Sequence, residues 1–437
     1  MDGRDKPGHD GRKDAAVKAL PSEVDVAVIG AGSAGIAAGR RLAQSAGISV
    51  LVLEARERAG GRTWTIEKNG YPLDLGGEWL HSADRNVLTT LAEDLGFEIY
   101  QRRPDWTTRL RNSGLSIAEE QDWLADREAH YAARHRAAQE PEDRPASTTL
   151  TPGGRWNALY DATSTWANAV ELEKLSVKDN DRYEDSGINW RVRRGYGTLL
   201  ATLAAELRIA FGAAVSRIDH RGRDIAIDTS RGRVRARRVI VAIPTSILAA
   251  EEVAFDPVLP DKLDAANGLP LGLANKLFFG FDGDMADIDQ TGDIGLVGST
   301  TRRETMSYQV RPFGRPIIQC FFGGEFAASL EREGFAAMAA FATDELAALR
   351  GNAIRKQLIP LAASSWRADP FARGSYSYAK PGRADDRAVL AAPVDDRIFF
   401  AGEATSLNFF STVHGAFETG LRAAEEALAS LRVPAST

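Results

Sequence analysis

The sequence predicts an α/β protein of two domains. Its 437 residues exceed what one hydrophobic core ordinarily accommodates, so two domains are the natural expectation. Residues 24–53 have the pattern of a strand, a helix and a second strand, and further buried strands follow only at 239–243 and 397–401. Because crossover units of this kind build parallel sheets, we expect one domain to have a Rossmann-like sheet assembled from distant parts of the chain.

The first strand–helix–strand unit is the best-defined part of the chain. An apolar run over 24–29 stops at Gly30, a helix follows from Ser33 to about Ser45, and a second buried strand over 48–53 ends at Glu54. The turn between the first strand and the helix reads Gly30-Ala31-Gly32-Ser33-Ala34-Gly35. This is the G-x-G-x-x-G pattern in the context that it requires, after a strand and at the start of a helix.

The glycine pattern predicts a dinucleotide-binding turn. Gly30 permits the tight turn, Gly32 lets the backbone approach a pyrophosphate, and Gly35 allows close packing of the helix on the strand. The pyrophosphate then lies at the N-terminus of the helix, where the N–H groups are free. Glu54, nineteen residues after Gly35, is placed to bind ribose hydroxyls. The pattern alone does not separate NAD from FAD.

Several elements follow along the chain. A charged helix is expected over 118–139, with its charges facing solvent, and then a loop over 141–154. Short β-rich runs between 215 and 242 predict a small antiparallel meander that ends in a buried strand. A helix is expected over 334–350, and the strand at 397–401 leads through a glycine-rich turn into a final helix over 415–431.

These elements predict a discontinuous domain organisation. Residues 22–82, 192–262 and 369–433 are assigned to the Rossmann-like domain, which binds the cofactor. Residues 83–191 and 263–368 are assigned to a substrate-binding domain, expected to be α+β with a mixed sheet flanked by helices. Residues 1–21 are charged and glycine-rich, lack the apolar segment of a signal peptide, and are predicted to be a disordered leader.

Charge and composition exclude several functions. The formal net charge of −6 and the isoelectric point near 5.7 give no bulk support for nucleic-acid binding. The apolar runs are shorter than a bilayer requires, so no membrane partner is expected. The single cysteine, Cys320, cannot form an intramolecular disulfide, and none of the six histidines has a metal-ligand spacing. We therefore expect a soluble, cytoplasmic protein without a metal site.

The residues after Glu54 extend the cofactor pattern. An arginine, Arg62, follows the glycine pair Gly60-Gly61, and its guanidinium suits a second phosphate. At this point the chain resembles the flavin-containing amine oxidase family, which includes monoamine oxidases, polyamine oxidases and histone lysine demethylases. The resemblance extends from residue 24 to 431 through motifs in family order. Among them are Leu75-Gly76-Gly77-Glu78-Trp79, Gly374-Ser375-Tyr376-Ser377-Tyr378, Gly402-Glu403-Ala404-Thr405 and Ser411-Thr412-Val413-His414-Gly415-Ala416.

The resemblance implies FAD as the cofactor, held without a covalent bond. Where monoamine oxidases carry the cysteine that bonds to the flavin, this chain has Ser375. Glu78 departs from the neutral or basic residues common at its position, and its role is open. The residues expected to bind FAD are Gly30, Gly32, Ser33, Ala34, Gly35, Glu54, Ala55, Arg56, Gly61, Arg62, Gly76, Gly77, Glu78, Trp79, Val215, Trp366, Gly402, Glu403, Thr412 and Val413.

The resemblance also implies a catalytic set. Lys276 would bond a water near flavin N5 and assist reoxidation by oxygen. Trp366 and Tyr376 would line the substrate cavity beside the flavin. His81 matches a position where polyamine oxidases place a polar substrate contact, although a capping or core histidine fits nearly as well. Thr412 replaces the second tyrosine of the monoamine oxidase cage, which favours the polyamine oxidase branch.

The implied activity is FAD-dependent oxidation of an amine. A hydride passes from the amine α-carbon to flavin N5, water hydrolyses the imine to a carbonyl, and O2 regenerates the flavin with release of hydrogen peroxide. We expect a primary or secondary amine without an α-carboxylate, with di- and polyamines first. The alternatives are an L-amino-acid oxidase, in which Arg191 or Arg373 would hold the carboxylate, a flavin-dependent desaturase, and a protein that binds FAD without turnover. The expected partners are the amine and O2, with the chain a monomer or homodimer.

Overall fold

The computed structural model describes residues 19–102, 108–283 and 293–432. The predicted leader, residues 1–21, therefore lies outside the described residues except for its last three positions. Among the helices of the described segments, none combines the length and the apolar character that a membrane span needs.

The strands vary in length and fall into four sheets. In chain order they are β1 (Glu23–Ile29), β2 (Val50–Leu53), β3 (Thr65–Lys68), β4 (Tyr71–Asp74), β5 (Trp79–Leu80), β6 (Ile99–Tyr100), β7 (Trp190–Val192), β8 (Ile209–Ala210), β9 (Val215–Asp219), β10 (Ile225–Thr229), β11 (Gly232–Val241), β12 (Ala254–Asp256), β13 (Ala274–Phe281), β14 (Ile294–Val297), β15 (Ser307–Val310), β16 (Ile317–Gly323), β17 (Leu358–Ala363) and β18 (Ile398–Phe400).

The helices cover the faces of the two larger sheets. In chain order they are α1 (Ser33–Ala43), α2 (Val87–Asp94), α3 (Arg109–Asn112), α4 (Ile117–Ala138), α5 (Asn157–Ala167), α6 (Val177–Arg182), α7 (Tyr196–Ala204), α8 (Thr245–Ala249), α9 (Pro260–Gly268), α10 (Gly324–Glu333), α11 (Phe335–Arg350), α12 (Asp386–Ala391) and α13 (Val413–Arg432).

The largest sheet has eight strands in the order β12-β9-β10-β11-β1-β2-β8, with β18 also paired to β11. Strand β1 pairs in parallel with β2 and β11, and β18 pairs in parallel with β11. The meander β9-β10-β11 is antiparallel, as predicted for residues 215–242. Because β1, β2, β11 and β18 run in the same direction, their carboxyl ends meet at one edge, where open α/β sheets bind ligands.

Helices α1 and α13 pack on one face of this sheet. The buried side chains Val26, Val28 and Ile240 of the sheet form one core cluster with apolar residues of both helices. A Cβ on Gly420 of α13 would lie only 2.1 Å from the carbonyl oxygen of Ala34 in α1, so the two helices meet backbone to backbone. The last helix of the chain therefore fixes the position of the first.

The second large sheet has five strands in the order β14-β15-β16-β13-β17. Every strand pair within it is antiparallel, so the mixed pairing of this fold lies in the eight-stranded sheet instead. Its core includes Leu277, Phe279 and Phe322 and continues into α10 and α11. Strand β13, which lies between β16 and β17, is buried at seven of its eight positions and carries Lys276.

The predicted elements are present with small shifts at their ends. The charged helix expected over 118–139 is α4, and a capping box between Ser116 and Glu119 fixes its start. The loop expected over 141–154 contains a short 3-10 helix, Ala146–Thr149. The strands of the eight-stranded sheet lie in the segments predicted for the Rossmann-like domain, and those of the five-stranded sheet lie in residues 263–368. The domain boundaries themselves stay a prediction.

Candidate active site

The glycine-rich turn after β1 forms an open cradle bounded by close backbone contacts. Gly30 has a φ of +98°, and a Cβ there would lie 2.5 Å from a carbonyl oxygen just after β11. A Cβ on Gly35 would lie 1.8 Å from the carbonyl oxygen of Gly30, so α1 packs directly on the turn. Among the described residues, no atom outside the immediate sequence neighbours lies within 4 Å of the Cβ position of Gly32. This leaves room for a ligand at the N-terminus of α1, beside Ser33 and Ala34.

Glu54 lies at the end of β2, across the turn. Its carboxylate accepts hydrogen bonds from the backbone N–H groups of Ala31 at 2.7 Å and Arg56 at 2.9 Å. The guanidinium of Arg56 lies 2.6 Å from the carboxylate of Asp369. Glu54, Ala55 and Arg56 thus form one wall of the cavity beside the glycine turn, and the binding of ribose by Glu54 stays a prediction.

The predicted diphosphate region is built around an ion pair. Arg62 Nη1 lies 3.0 Å from Glu403 Oε1 and donates to the carbonyl oxygen of Ser375 at 2.6 Å. Glu403 Oε2 accepts from the hydroxyl of Ser377 at 2.7 Å and the N–H of Ser411 at 3.0 Å. Burial raises the pKa of Glu403, but Arg62 and these hydrogen bonds outweigh burial and hold the pKa below its usual range. Glu403 is therefore an ionised carboxylate whose oxygens are bound by Arg62, Ser377 and Ser411, and it holds these three chain segments together.

Glycines outside the first turn also border the site. Those predicted to bind the cofactor are Gly61, Gly76, Gly77 and Gly402, and all four line the same cavity. A Cβ on Gly76 would lie 2.9 Å from the ring of Trp366, and one on Gly77 would lie 2.5 Å from Val413. Gly402 has a φ of +137° and open space around its Cβ position. Gly76 and Gly77 thus let the side chains of Trp366 and Val413 come close to the backbone, whereas Gly402 leaves open space on its side of the cavity.

Lys276 is held by a buried counter-ion. Its side chain is 6% exposed, and Nζ lies 2.7 Å from the carboxylate of Glu78 and donates to the carbonyl oxygen of Asp74 at 3.0 Å. Glu78 also accepts from Gln319 at 2.7 Å and from Arg191 at 3.3 Å. Both carboxylate oxygens of Glu78 are thus engaged by protein donors, and its place among the FAD-binding residues stays a prediction. Glu78 lines the cavity as the partner of Lys276.

The two buried acids beside Lys276 are shifted in opposite directions. Burial raises the pKa of Glu78, but the positive charges of Lys276 and Arg191 lower it by more. The resulting pKa is about 2. For Asp74, burial prevails and raises the pKa to about 6. Glu78 is therefore ionised throughout the neutral pH range and supplies a fixed negative charge next to the lysine.

Arg191 extends this charge network away from the cavity. Its side chain is 1% exposed, with Nη2 2.5 Å from Asp293 and Nη1 donating to Gln309 at 3.0 Å. The guanidinium also lies over the rings of Trp79 and Phe313, at 4.6 and 4.3 Å from their centroids. Both terminal nitrogens are engaged, so this arginine is not available to clamp the carboxylate of a substrate.

Trp366 and Tyr376 line the cavity as predicted. Trp366 Nε1 donates to the carbonyl oxygen of Leu75 at 3.2 Å, and the Tyr376 hydroxyl donates to that of Trp166 at 2.5 Å. Burial raises the pKa of Tyr376 far above its usual value, so the hydroxyl stays protonated. Trp166 itself lines the cavity. Sequence reasoning missed it because it lies in a segment without a motif.

His81 and Thr412 border the cavity while making protein contacts. His81 Nδ1 lies 2.7 Å from the side-chain oxygen of Asn189 and 3.5 Å from Asp185. Thr412 Oγ1 accepts the N–H of Gly415 at 3.0 Å, which is the arrangement of a helix N-cap for α13. Both interpretations offered for His81, a substrate contact and a structural residue, therefore remain compatible with its position.

One continuous cavity of about 1270 Å³ connects these groups. It is lined by the glycine turn and Glu54, by Val215 and Val413, and by Lys276 with its aromatic neighbours. Every residue predicted for the cofactor or for catalysis lines it except Gly35, whose role is packing. Single small-ligand sites typically enclose about 300–1,000 Å³, so this cavity has room for an extended cofactor and a substrate. The open backbone cradle and the long cavity fit FAD.

The cavity also reaches side chains that the sequence did not indicate. One face of α4 contributes Trp123, Arg127 and Arg134, at the spacing of one side of a helix. The solvated charged face predicted for this helix therefore does not include Arg127 and Arg134, which line the cavity. The spacing was visible in the sequence, but nothing there showed that a cavity lies against it. The described residues contain no group of three metal-ligating side chains suited to a metal ion.

Comparisons with known proteins identify the family of the chain. A family model described as flavin containing amine oxidoreductase matches residues 33–113 and 104–428. Polyamine oxidase 2 of Arabidopsis thaliana is 30% identical over 438 residues, covering 92% of this chain and 87% of that protein. Lysine-specific histone demethylase 1 homolog 1 of Arabidopsis thaliana is 30% identical over 455 residues, covering 94% of this chain and 53% of that protein.

Solved structures share the fold. Wild-type putrescine oxidase bound to putrescine superposes with a TM-score of 0.76 at 20% identity, covering 93% of this chain and 99% of that one. This confirms the predicted fold class, an α/β protein with a Rossmann-like FAD-binding domain and a second domain. The family match confirms the predicted enzyme and its non-covalent FAD, and it sets aside the alternative of a binding protein without turnover. The chain belongs to the flavin-containing amine oxidoreductases, which use FAD to oxidise amines.

Proposed function

We propose that this enzyme oxidises an amine that has no carboxylate on its α-carbon. The observation that carries the proposal is the position of Lys276, held by Glu78 on the wall of the cavity that Trp366 and Tyr376 also line. Relatives named polyamine oxidases, at 30% identity over most of the chain, support an amine of this class. The expected products are hydrogen peroxide and an imine, which water hydrolyses to a carbonyl compound.

FAD, when bound, supplies the redox chemistry by accepting a hydride equivalent and passing electrons to O2. The N–H groups at the start of α1, beside Gly32, would hold its pyrophosphate. Trp366 and Tyr376 form apolar walls that orient the neutral amine and exclude water. Lys276 presents a positive charge, fixed by Glu78, that favours negative charge developing on oxygen. The N-terminus of α13, capped by Thr412, contributes a partial positive charge to the same cavity.

An L-amino-acid oxidase is less well supported. Such an enzyme needs a cationic clamp for the substrate carboxylate. Of the two arginines considered from the sequence, Arg191 is engaged by Glu78 and Asp293. Arg373 lies 2.7 Å from Glu252. No observation favours a desaturase over an amine oxidase.

A panel of substrates with peroxide detection tests the proposal. Purified holoenzyme is given simple monoamines, diamines, polyamines, amines with remote polar groups and L-amino acids, and the initial rate of peroxide formation is measured. We expect turnover of amines without an α-carboxylate, and kcat/KM should rise with pH because the reacting amine must be neutral. Rapid turnover of L-amino acids alone would move the function to amino-acid oxidation.

We further propose that the protein works in the cytoplasm as a monomer or homodimer, without nucleic-acid or membrane partners. Its single cysteine is buried and unpaired, which is typical of proteins from reducing compartments. The net charge of −6 disfavours binding to nucleic acid. Sedimentation of the holoenzyme gives the oligomeric state, and cell fractionation gives the location.

A further inference from the structure

The end of the cavity beyond Tyr376 carries cationic and aromatic side chains. We define the distal chamber as the part of the cavity lined by Trp123, Arg127, His130, Tyr160, Thr163 and Trp166. We propose that the distal chamber binds a carboxylate at the far end of the substrate, so that the substrate is an amine with a remote anionic group. The inference rests on the proposed oxidation of an amine and specifies its substrate class.

The distal chamber continues directly from the predicted reaction site. The hydroxyl of Tyr376 donates to the carbonyl oxygen of Trp166, which lies near the end of α5. Tyr160 lies six residues earlier on the same helix, about 9 Å along its axis at 1.5 Å per residue. The ring of His130 in α4 stacks on Tyr160 at 4.2 Å between centroids. A flexible substrate held beside Tyr376 can therefore extend its far end between α4 and α5.

Arg127 is a cation of this chamber, and Arg109 lies nearby over the ring of Trp166 at 5.2 Å from its centroid. It is half-buried on α4, and within the described segments its side chain makes no hydrogen bond or ion pair. Arg134, about two helical turns further along α4, is instead paired with Asp181 at 3.4 Å. A guanidinium binds a carboxylate through two parallel hydrogen bonds, so Arg127 suits that group.

Neighbouring polar groups in the chamber are also unsatisfied. Within the described residues, the buried atoms Trp166 Nε1, Thr163 Oγ1 and His130 Nδ1 have no hydrogen-bond partner. Trp166 is 6% exposed, and its indole N–H can only donate. Because buried polar groups are normally satisfied, the indole N–H of Trp166 is an unused donor just behind the wall of the chamber.

The acids that line the cavity do not favour a second ammonium group. Among the described lining residues, these acids are Glu54, Glu78, Asp185, Glu252 and Glu403. Each one already has a hydrogen-bonded or ion-paired protein partner, as described for Glu78 and Glu403. A distal ammonium group would thus find only carboxylates that already have protein partners, and it would be repelled by Arg127. A distal carboxylate would instead be attracted by the guanidinium of Arg127.

Three amines of equal length test the inference: 6-aminohexanoate, hexylamine and 1,6-diaminohexane. They share the reacting amine and differ only in a terminal carboxylate, methyl group or ammonium. For the native holoenzyme we expect kcat/KM to be highest with 6-aminohexanoate and lowest with the diamine. Arg127→Gln should lower kcat/KM for 6-aminohexanoate by about 10-fold or more, as expected for a lost charge-assisted hydrogen bond. The value for hexylamine should stay within about twofold of native.

Arg136→Gln is the matched control, because Arg136 is an exposed residue of the same helix and does not line the cavity. This variant should keep the native order of substrates. A second readout is the binding of hexanoate, which has the tail and no amine, measured by calorimetry. Native holoenzyme should bind it more tightly than Arg127→Gln.

The outcomes separate the inference from the proposed function. If the amines are oxidised with the diamine preferred, or if the Arg127 and Arg136 variants behave alike, the inference is overturned and the function stands. If hexanoate binding depends on Arg127 but no amine without an α-carboxylate is oxidised, the proposed function fails while the carboxylate site remains.

Discussion

Replacing Glu78 with glutamine removes the counter-charge of Lys276 while keeping the size of the side chain. In the native protein the Glu78 carboxylate accepts hydrogen bonds from three donors, on Lys276, Gln319 and Arg191. The glutamine amide must turn an NH2 group toward at least one of these donors. It also leaves the buried charge of Lys276 without its nearest partner. We expect Glu78→Gln to fold and to be less stable.

The size of the effect follows from the pKa of Glu78. The pKa is lowered from 4.5 to about 2 in the folded protein, which corresponds to about 3 kcal/mol at 1.36 kcal/mol per pH unit. Removing one partner of a buried ion pair typically costs about 3–5 kcal/mol, which agrees with this value. Because the folded pKa is the lower one, the stabilisation is present above pH 4.5 and is lost as the pH falls toward 2.

Urea unfolding of the holoenzyme, followed by tryptophan fluorescence, measures this contribution. The free energy of unfolding of Glu78→Gln should be lower than native by about 3 kcal/mol at pH 7, and the difference should shrink below pH 4.5. Glu67→Gln, which changes an exposed acid of β3, is the control and should match the native protein. Equal stability of Glu78→Gln and native protein at pH 7, or a difference that does not change with pH, would refute the assigned ion pair.

Four further predictions concern the same site. Lys276→Met should slow reoxidation of the reduced holoenzyme by oxygen far more than anaerobic reduction by substrate, measured by stopped flow; unchanged oxygen reactivity would remove the lysine from the reaction. Gly32→Ala should fold normally, because its Cβ meets no protein atom within 4 Å, yet should lose FAD affinity in a fluorescence titration, and native affinity would contradict the cradle. Gly35→Ala should instead destabilise the fold itself, because its Cβ would lie 1.8 Å from a carbonyl oxygen. Acid precipitation should leave a yellow supernatant, since Ser375 replaces the cysteine of a covalent flavin link, and a yellow pellet would show a covalent bond.

The cofactor half of the site was predictable because its signals are local. Gly30, Gly32 and Gly35 lie within one turn, and β1, α1 and β2 are consecutive in the chain. The periodicity of the sequence therefore places the turn at the carboxyl edge of the sheet before any tertiary contact is known. The later motifs at Gly402 and Thr412 could be placed only through the family resemblance.

The remaining features depend on contacts between distant residues. Glu78 and Lys276 are 198 positions apart, and neither residue carries a local signal of the other. The charge pattern of α4 fits a solvated helix equally well, because the cavity against Arg127 is created by packing of α4 against α5 and its neighbours. Ion pairs and cavities of this kind appear only when the chain segments are assembled.

The packing of α13 against α1 joins the two ends of the chain at the predicted cofactor site. The ribosome releases β1 early, but β18 and α13, which complete the same sheet and border the cradle, come roughly 370 residues later. At 5–20 residues per second this delay is roughly 20–70 s. During synthesis the edge of β11 that later receives β18 is unpaired, and the contact between Gly420 and Ala34 does not exist. The complete wall of the cradle therefore exists only once α13 has left the ribosome, so we expect full FAD affinity to arise after translation ends.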